Sequence, residues 1–269
     1  MKGTIVSIII WGAALIILFP FIWMVLTSLK PRAEVFRYPP VLLPSKWIFA
    51  NYIEAWNMAP FGRFLLNSFI VSTGATLGVI ITSALAAYSF ARLEFPGRDA
   101  VFMLFLGSMM VPHQVTMIPS FLLVKWLNWV DTYQALIVPK IVDAFSIFLL
   151  RQYFQSIPVE LEEAAAIDGC TSLGILGKVI LPLSKPVLAA VGILRFLNTW
   201  NDFLWPLLVV TTEEMQTVQL GLAVFRGDII VEWHLLMAGT VLVSVPTMLV
   251  YLLLQRHFVE GMVMSGLKA

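Results

Sequence analysis

A group of polar side chains interrupts an apolar stretch, and its chemistry suits the recognition of hydroxyl groups. Asn198, Asn201 and Asp202 are spaced three or four residues apart, so they share one face if the segment is helical. Amides and carboxylates supply the donors and acceptors that hydroxyls need, and Trp200 supplies an aromatic face for an apolar ring. We predict that these four residues line a pathway for a polyhydroxylated solute. The alternative is a structural network in which Arg195 and Asp202 each pair with a neighbouring helix.

Two further polar pairs lie within apolar stretches. His113 and Gln114 stand between two prolines, where we expect a kinked helix. Lining of the pathway and filling of a packing niche are equally compatible with that position. Lys140 and Asp143 are three residues apart and are expected to neutralise each other.

The longest polar interruption, residues 151–186, predicts two short helices joined by a turn. Ser156 is the expected N-cap of the first helix, and Glu160 and Glu163 place negative charge near the positive end of its dipole. Asp168-Gly169 is expected to end this helix, because glycine readily adopts the left-handed conformation of a helix terminus.

The second helix of this hairpin is expected to run from about Ser172 to Ile180, where Leu181-Pro182 should stop it. Three roles are open: a helix on the membrane surface, a plain connecting loop, or a docking element for a protein. Membrane-surface helices favour basic polar faces, whereas this segment is acidic. The alanines at 164–166 leave a low surface that a partner protein could contact closely.

Composition indicates whether these elements fold in water or in a membrane. The chain has 269 residues, of which 59% are hydrophobic and 12% charged, with a mean hydropathy of +0.89. Soluble domains carry about 25% charged residues, so we expect a membrane protein. A net charge of +1 provides no basic field for nucleic acid. Cys170 is the single cysteine, which excludes an internal disulfide.

An all-α membrane protein with six spans is predicted, because a helix needs about 20 apolar residues to cross a bilayer. The expected spans are residues 5–28, 64–91, 100–124, 133–150, 187–210 and 235–255. The second contains Gly74, Gly78 and several alanines, a small-residue stripe that favours close helix packing, within this chain or against a partner. Basic residues are divided almost evenly between the two sides, so charge bias does not predict orientation.

The hairpin also carries a specific motif. Glu163-Ala164-Ala165, three residues, Gly169, nine residues and then Val179-Ile180-Leu181-Pro182 resemble the EAA signature of permease subunits of binding-protein-dependent ABC importers. Val179 replaces isoleucine in that pattern and preserves its shape. Asn67-Ser-Phe, Phe148-Leu-Leu-Arg-Gln and Trp200-Asn-Asp-Phe-Leu-Trp-Pro are further similarities, to the maltose-transporter-like carbohydrate subfamily.

The resemblance implies a role for each part of the chain. Residues 1–269 would form one transmembrane domain, and residues 151–186 a cytoplasmic coupling loop between spans four and five. That loop would dock on an ATPase and transmit its motion to the spans, so that the pathway opens to one side at a time. Its expected coupling residues are Glu160, Glu163, Ala164, Ala165, Asp168, Gly169, Leu181 and Pro182.

The resemblance also implies the partners and the location. We expect a second homologous permease, two cytoplasmic ATPase subunits, an extracytoplasmic solute-binding protein and a sugar substrate, in the inner membrane of a prokaryote with both termini cytoplasmic. In relatives the partner permease can supply most contacts with the substrate. ATP and Mg would be used by the ATPase subunits, while this chain is expected to bind no cofactor and no metal.

An enzyme is a poor match to the sequence. The stretch around Lys178 lacks the glycine spacing and the hydroxyl residue of a P-loop, and no catalytic motif of the common hydrolase or metalloprotease types is present. The remaining alternatives are a permease for a polyol or sugar phosphate, an ion-coupled secondary transporter, and a scaffold subunit without a pathway.

Overall fold

The computed structural model describes residues 2–225 and 231–266. Within these ranges the chain consists of helices and loops, with no β-strand. The predicted all-α fold is confirmed. The predicted domain 1–269 also includes Met1 and the segments 226–230 and 267–269, which lie outside the described residues.

The helices follow one another in a single chain order. The α-helices are α1 (Lys2–Ser28), α2 (Ala50–Asn57), α3 (Phe61–Arg92), α4 (Arg98–Ser108), α5 (His113–Trp126), α6 (Tyr133–Ile137), α7 (Ala144–Gln155), α8 (Glu160–Ile167), α9 (Ser172–Ile175), α10 (Leu181–Leu183), α11 (Lys185–Trp200), α12 (Leu204–Val209), α13 (Val218–Gly221) and α14 (Trp233–Gly266). Short 3₁₀ segments occupy Arg32–Glu34, Val138–Lys140, Glu213–Met215 and Leu222–Phe225, and Leu176–Ile180 is a π-helix.

Among the described residues, three helices are long and apolar enough to cross a bilayer without interruption. These stretches are Ile9–Ser28, Phe61–Arg92 and Trp233–Leu253. They correspond to the predicted first, second and sixth spans. Three bent helix pairs bring the number of candidate spans to as many as six, if each pair counts as one span.

The predicted third and fourth spans are each broken. Helices α4 and α5 meet at an angle of 101° and are separated by a short break that ends at Pro112. Proline has no backbone N–H to continue the hydrogen bonding of a preceding helix, which explains a break rather than a gentle kink. Tyr133–Lys140 and Ala144–Gln155 meet at 44°.

The region of the fifth span differs from its predicted course of 187–210. Helix α11 ends at Trp200, and α12 begins only at Leu204. The stop predicted at Leu181-Pro182 is wrong: Ser172–Leu183 continues through Pro182, and the bend of 82° toward α11 follows it. Pro182 is the second residue of α10, directly after the π-helix Leu176–Ile180.

Contacts divide the chain into two compact units, and the prediction of one domain stays a prediction. The first unit comprises residues 1–65 and 218–246. Its core contains the fully buried Phe61, Phe64 and Phe225, and the rings of Phe61 and Phe225 stack with centroids 5.5 Å apart. A Cβ at Gly221 would lie 2.2 Å from Cδ2 of Phe64, so only glycine fits there.

The second unit, residues 66–217 and 247–269, contains the small-residue stripe of α3. A Cβ added to Gly78 would lie 2.5 Å from Cγ2 of Ile141, and one added to Gly74 would lie 3.0 Å from Cδ1 of Ile137. These glycines therefore permit close packing within this chain, which was one of the two interpretations of the stripe.

A polar contact in the same unit connects two loops. The Asp131 carboxylate accepts hydrogen bonds from the backbone N–H groups of Thr211 and Thr212, at 2.9 and 3.1 Å, and from the Thr212 hydroxyl at 2.7 Å. Burial raises the pKa of Asp131, but these hydrogen bonds outweigh it and hold the pKa below its usual value. The carboxylate is thus ionised throughout the neutral range.

Candidate functional site

The first arm of the predicted coupling loop is α8. Its end is a Schellman motif, in which Gly169 has φ +83°. The N–H groups of Gly169 and Cys170 donate to the carbonyls of Ala166 and Ala165, both at 3.0 Å. The predicted glycine terminus is confirmed at the expected residue.

The start of α8 differs from the prediction. Val159 is its N-cap residue and provides no side-chain cap, so the expected cap by Ser156 is wrong. The Ser156 hydroxyl instead donates to the carbonyl of Tyr153 at 2.7 Å, which satisfies the end of the preceding helix. The short loop between α7 and α8 therefore ends one helix at Ser156 and begins the next at Val159.

Most of the predicted coupling residues are accessible. Six belong to α8 and its turn and two to the second arm, which we define as Ser172–Leu183. The exposed ones are Glu160, Glu163, Ala164, Asp168, Gly169 and Pro182, whereas Ala165 and Leu181 are half-buried. An acidic surface with low alanine side chains is thus open to a partner, and the role of these residues in coupling stays a prediction.

Two apolar residues that the sequence analysis did not select flank the turn. Ile167 is 87% exposed and Leu173 is 70% exposed. Both residues lie outside the predicted spans, where contact with another molecule would remove their apolar surface from water. The sequence could have indicated these two residues, because they are large apolar residues on either side of Gly169 in a mostly polar turn.

A second feature missed by the sequence analysis lies behind the arm. Glu162 is buried and forms an ion pair with Arg92, the last residue of α3. The Arg92 guanidinium also donates to the carbonyls of Phe154 and Ile157, at 2.8 and 2.7 Å. No local pattern indicates this contact, because the two charged residues are 70 positions apart.

The polar group near the end of α11 is partly internal. Asp202 forms an ion pair with Lys140, and its other oxygen accepts from the Trp205 N–H at 3.3 Å, which caps α12. The Arg195 guanidinium donates to the Lys140 carbonyl at 2.8 Å and lies 3.8 Å from Asp143. The expected Lys140–Asp143 pair is wrong, because Asp143 instead caps α7 through the Ser146 N–H at 2.9 Å.

The other predicted pathway residues are divided between surface and core. Asn198 and Asn201 are exposed, as are His113 and Gln114 at the start of α5. Trp200 is 2% exposed and stacks on Phe196 with ring centroids 5.7 Å apart. The structure therefore gives Asp202 the ion pair of the structural alternative, packs Trp200 in the interior, and leaves the amides accessible to a solute.

The described residues offer no evident set of ligands for a metal ion. In the ranges 2–225 and 231–266, no group of three or more His, Cys, Asp or Glu side chains is placed to hold a metal ion. The polar groups of the pathway region are amides, an imidazole and ion-paired charges. These groups can bind and orient a polar solute.

The structure joins an exposed hairpin to broken membrane helices, and comparison with known proteins identifies the family. The chain belongs to the family of binding-protein-dependent transport system inner membrane components, whose family model matches residues 74–263. It is thus a multi-pass inner-membrane transport subunit of a binding-protein-dependent system and not an enzyme.

Curated relatives cover nearly the whole chain. The chain is 36% identical to the probable ABC transporter permease protein YurM of Bacillus subtilis, over 94% of this chain and 84% of the relative. It is 37% identical to the arabinooligosaccharides transport system permease protein AraQ of Halalkalibacterium halodurans, over 95% and 92%. It is 36% identical to the sn-glycerol-3-phosphate transport system permease protein UgpE of Pectobacterium atrosepticum, over 93% and 92%.

Two solved structures share the fold. A chain of a bacterial ABC transporter involved in the import of the acidic polysaccharide alginate matches with a TM-score of 0.85 and 26% identity, covering 96% of each chain. A chain of a bacterial alginate ABC transporter in complex with an alginate pentasaccharide-bound periplasmic protein matches with a TM-score of 0.66 and 15% identity, covering 94% of this chain and 93% of that one. The second match supports the fold alone.

Proposed function

We propose that this chain is a permease subunit of an ATP-driven importer for a sugar or oligosaccharide, and that it forms half of the translocation pathway. The observation that carries the proposal is the exposed, acidic hairpin of α8 and the second arm, held against the ends of membrane helices. The names of the relatives support a carbohydrate, since AraQ is a permease protein of an arabinooligosaccharides transport system and the structural relative belongs to a transporter involved in the import of alginate. A sugar phosphate is the second candidate, favoured by the similarity to UgpE.

The coupling function is assigned to the exposed face of the hairpin. Glu160, Glu163 and Asp168 supply negative charge for pairing with cations of an ATPase subunit, and Ala164 allows close approach. Ile167 and Leu173 add apolar contact on either side of the turn. Motion of the ATPase would pass through this surface to the broken spans and alternate the access of the pathway.

The pathway function is assigned to accessible polar groups. Asn198 and Asn201 at the end of α11, and His113 and Gln114 at the start of α5, offer donors and acceptors to hydroxyl groups. Trp200 and Asp202 would act behind this surface by holding the helix ends in position. A second homologous permease would complete the pathway, because six spans enclose little space by themselves.

The remaining subunits supply what this chain lacks. Two cytoplasmic ATPase subunits would bind ATP and Mg, and an extracytoplasmic binding protein would deliver the solute. This chain itself would bind no cofactor. With six spans and a hairpin facing the ATPase, both termini would lie in the cytoplasm.

The native single cysteine tests the orientation. Cys170 is half-buried beside Gly169, so an impermeant maleimide should modify it in inverted vesicles and not in right-side-out vesicles. A Cys170→Ser chain carrying Lys46→Cys, in the exposed loop after α1, should show the opposite pattern. Labelling of Cys170 from outside the cell contradicts the coupling assignment.

Transport is tested by reconstitution of this chain with a candidate second permease, ATPase and binding protein from the same organism. Uptake of a panel of labelled neutral oligosaccharides, acidic oligosaccharides and sn-glycerol-3-phosphate should require ATP and should be abolished by Glu163→Arg. Preferential uptake of the phosphate ester would select the second candidate. Uptake driven by an ion gradient without ATP contradicts the proposed function.

A further inference from the structure

The first arm of the hairpin has almost no apolar attachment to the rest of its unit. Of the eight residues of α8, the one that is buried is Glu162. Leu161 and Ile167 are 45% and 87% exposed, and Ala165 is only half-buried. Because hydrophobic stabilisation is proportional to the apolar area removed from water, burial alone holds this arm weakly.

The second arm is attached by buried apolar side chains. Ile175, Leu176 and Ile180 are 7%, 4% and 0% exposed. They belong to a core cluster that also includes Val79 of α3 and Phe154 of α7. The two arms of one hairpin therefore depend on different forces, and a change in charge can release the first arm and leave the second in place.

Arg92 provides the main polar attachment of the first arm, beside the limited packing of Ala165 on the core cluster and a 3.5 Å contact between the Tyr88 hydroxyl and Glu162. Its side chain is 15% exposed, and that of Glu162 is 9% exposed. The guanidinium binds the Glu162 carboxylate of α8 and, with the same group, the carbonyls of Phe154 and Ile157 at the end of α7 and after it. Carbonyls in a last helical turn have no intrahelical partner, and a cation is favoured there by the helix dipole. One side chain thus joins α3, α7 and α8.

We propose that Arg92 and Glu162 are positioning residues that make the first arm move together with α3 and α7. The proposal rests on the proposed function, in which an ATPase moves the exposed face of α8. Force applied there reaches α7 through the loop 156–159 and α11 through the second arm, whereas α3 is not adjacent to α8 in the chain and is reached directly through the ion pair. Without the pair, α8 loses its direct contact with the α3 side chain that also holds the end of α7, so the first arm follows α3 less closely.

Spin labels measure this attachment without any transport assay. In a Cys170→Ser chain, a nitroxide on Ala166→Cys reports the first arm, and one on Lys178→Cys reports the second, since both positions are exposed. Glu162→Gln keeps an oxygen that can accept a hydrogen bond but removes the charge. We expect it to increase label mobility at position 166 and to leave the label at position 178 unchanged.

Coupling is measured in the reconstituted complex as solute transported per ATP hydrolysed. Glu162→Gln should lower this ratio by at least about tenfold while the ATPase still copurifies, because removal of one member of a buried ion pair is strongly destabilising to the contact. Arg92→Lys keeps the charge but cannot donate to three acceptors in a fixed fork, so it should retain an intermediate ratio. Glu94→Gln, which removes an exposed carboxylate two residues after Arg92, is the matched control and should behave as the wild type.

The outcomes separate the two proposals. An unchanged label at position 166 in Glu162→Gln overturns the positioning role, whatever the complex transports. Equal mobilisation of both labels also overturns it, because the whole hairpin would then have unfolded. Loss of ATP-driven uptake in the wild-type complex contradicts the proposed function and leaves the label result standing.

Discussion

The ion pair between Asp202 and Lys140 predicts that loss of the carboxylate destabilises the protein more than loss of the ammonium group. Four charged side chains meet in this region: Lys140, Arg195, Asp143 and Asp202. Their formal charges sum to zero. Asp202→Asn leaves Lys140, whose side chain is 8% exposed, near the like charge of Arg195. Lys140→Met leaves Asp202 near Arg195, which has the opposite charge.

The size of the expected loss of stability follows from the burial of the two side chains. Removal of one partner from a fully buried ion pair costs about 3–5 kcal/mol. Because the Asp202 side chain is 21% exposed, we expect about 2–4 kcal/mol for Asp202→Asn and roughly half of that for Lys140→Met. The asparagine can still accept from the Trp205 N–H, so the loss is assigned to charge rather than to the cap of α12. The double substitution restores neutrality and should recover most of the loss.

Thermal unfolding of the purified complex in nanodiscs measures these differences. The expected fall in Tm for Asp202→Asn is about 4–12 °C, with a smaller fall for Lys140→Met and a near-normal value for the double variant. Additive losses in the double variant, or a larger fall for Lys140→Met, refute the reasoning. A stable double variant that has lost affinity for the solute would instead place Asp202 in the pathway.

Three other substitutions test local geometry. Gly78→Ala should destabilise the complex by about 1–3 kcal/mol, because its Cβ would lie 2.5 Å from Cγ2 of Ile141. Ile141→Val keeps that contact and should not restore the stability fully. Gly107→Ala, also within a helix but with nothing within 4 Å of its Cβ, is the matched control and should leave the Tm unchanged or raise it slightly in the same thermal assay. Asp131→Asn should cost about 1 kcal/mol after allowance for its solvent exposure, since it weakens charge-assisted hydrogen bonds. Because the pKa of Asp131 is lowered in the folded state, its contribution to stability is complete above the usual value of 3.8 and is lost only as pH falls through the folded pKa. The difference in Tm between Asp131→Asn and the wild type should therefore be constant between about pH 5 and 8. A change in that difference within this window contradicts the argument. Gly169→Asn should retain copurification of the ATPase better than Gly169→Val, because asparagine tolerates φ +83° and valine does not; equal loss would show that the position is limited by contact rather than by backbone conformation.

The features predicted correctly are those that a short stretch of sequence specifies. A long apolar segment such as 64–91 has one stable arrangement in a bilayer, a helix with all backbone groups paired internally. Gly169 ends α8 because a left-handed residue is needed there and few other residues accept that conformation. Two local predictions were wrong: the Ser156 hydroxyl donates back to the carbonyl of Tyr153, and the helical course continues through Pro182 directly after a π-helix.

By itself, the sequence determined that the chain is an all-helical membrane protein with an acidic, glycine-ended hairpin, because apolar length, capping and turn chemistry act over a few neighbouring residues. The tertiary structure decided which charges meet. Lys140 reaches Asp202 across 62 positions and Arg92 reaches Glu162 across 70, although Asp143 lies only three residues from Lys140. In a desolvated region the partner of a charge is the group that folding places within reach, and sequence spacing does not contain that distance.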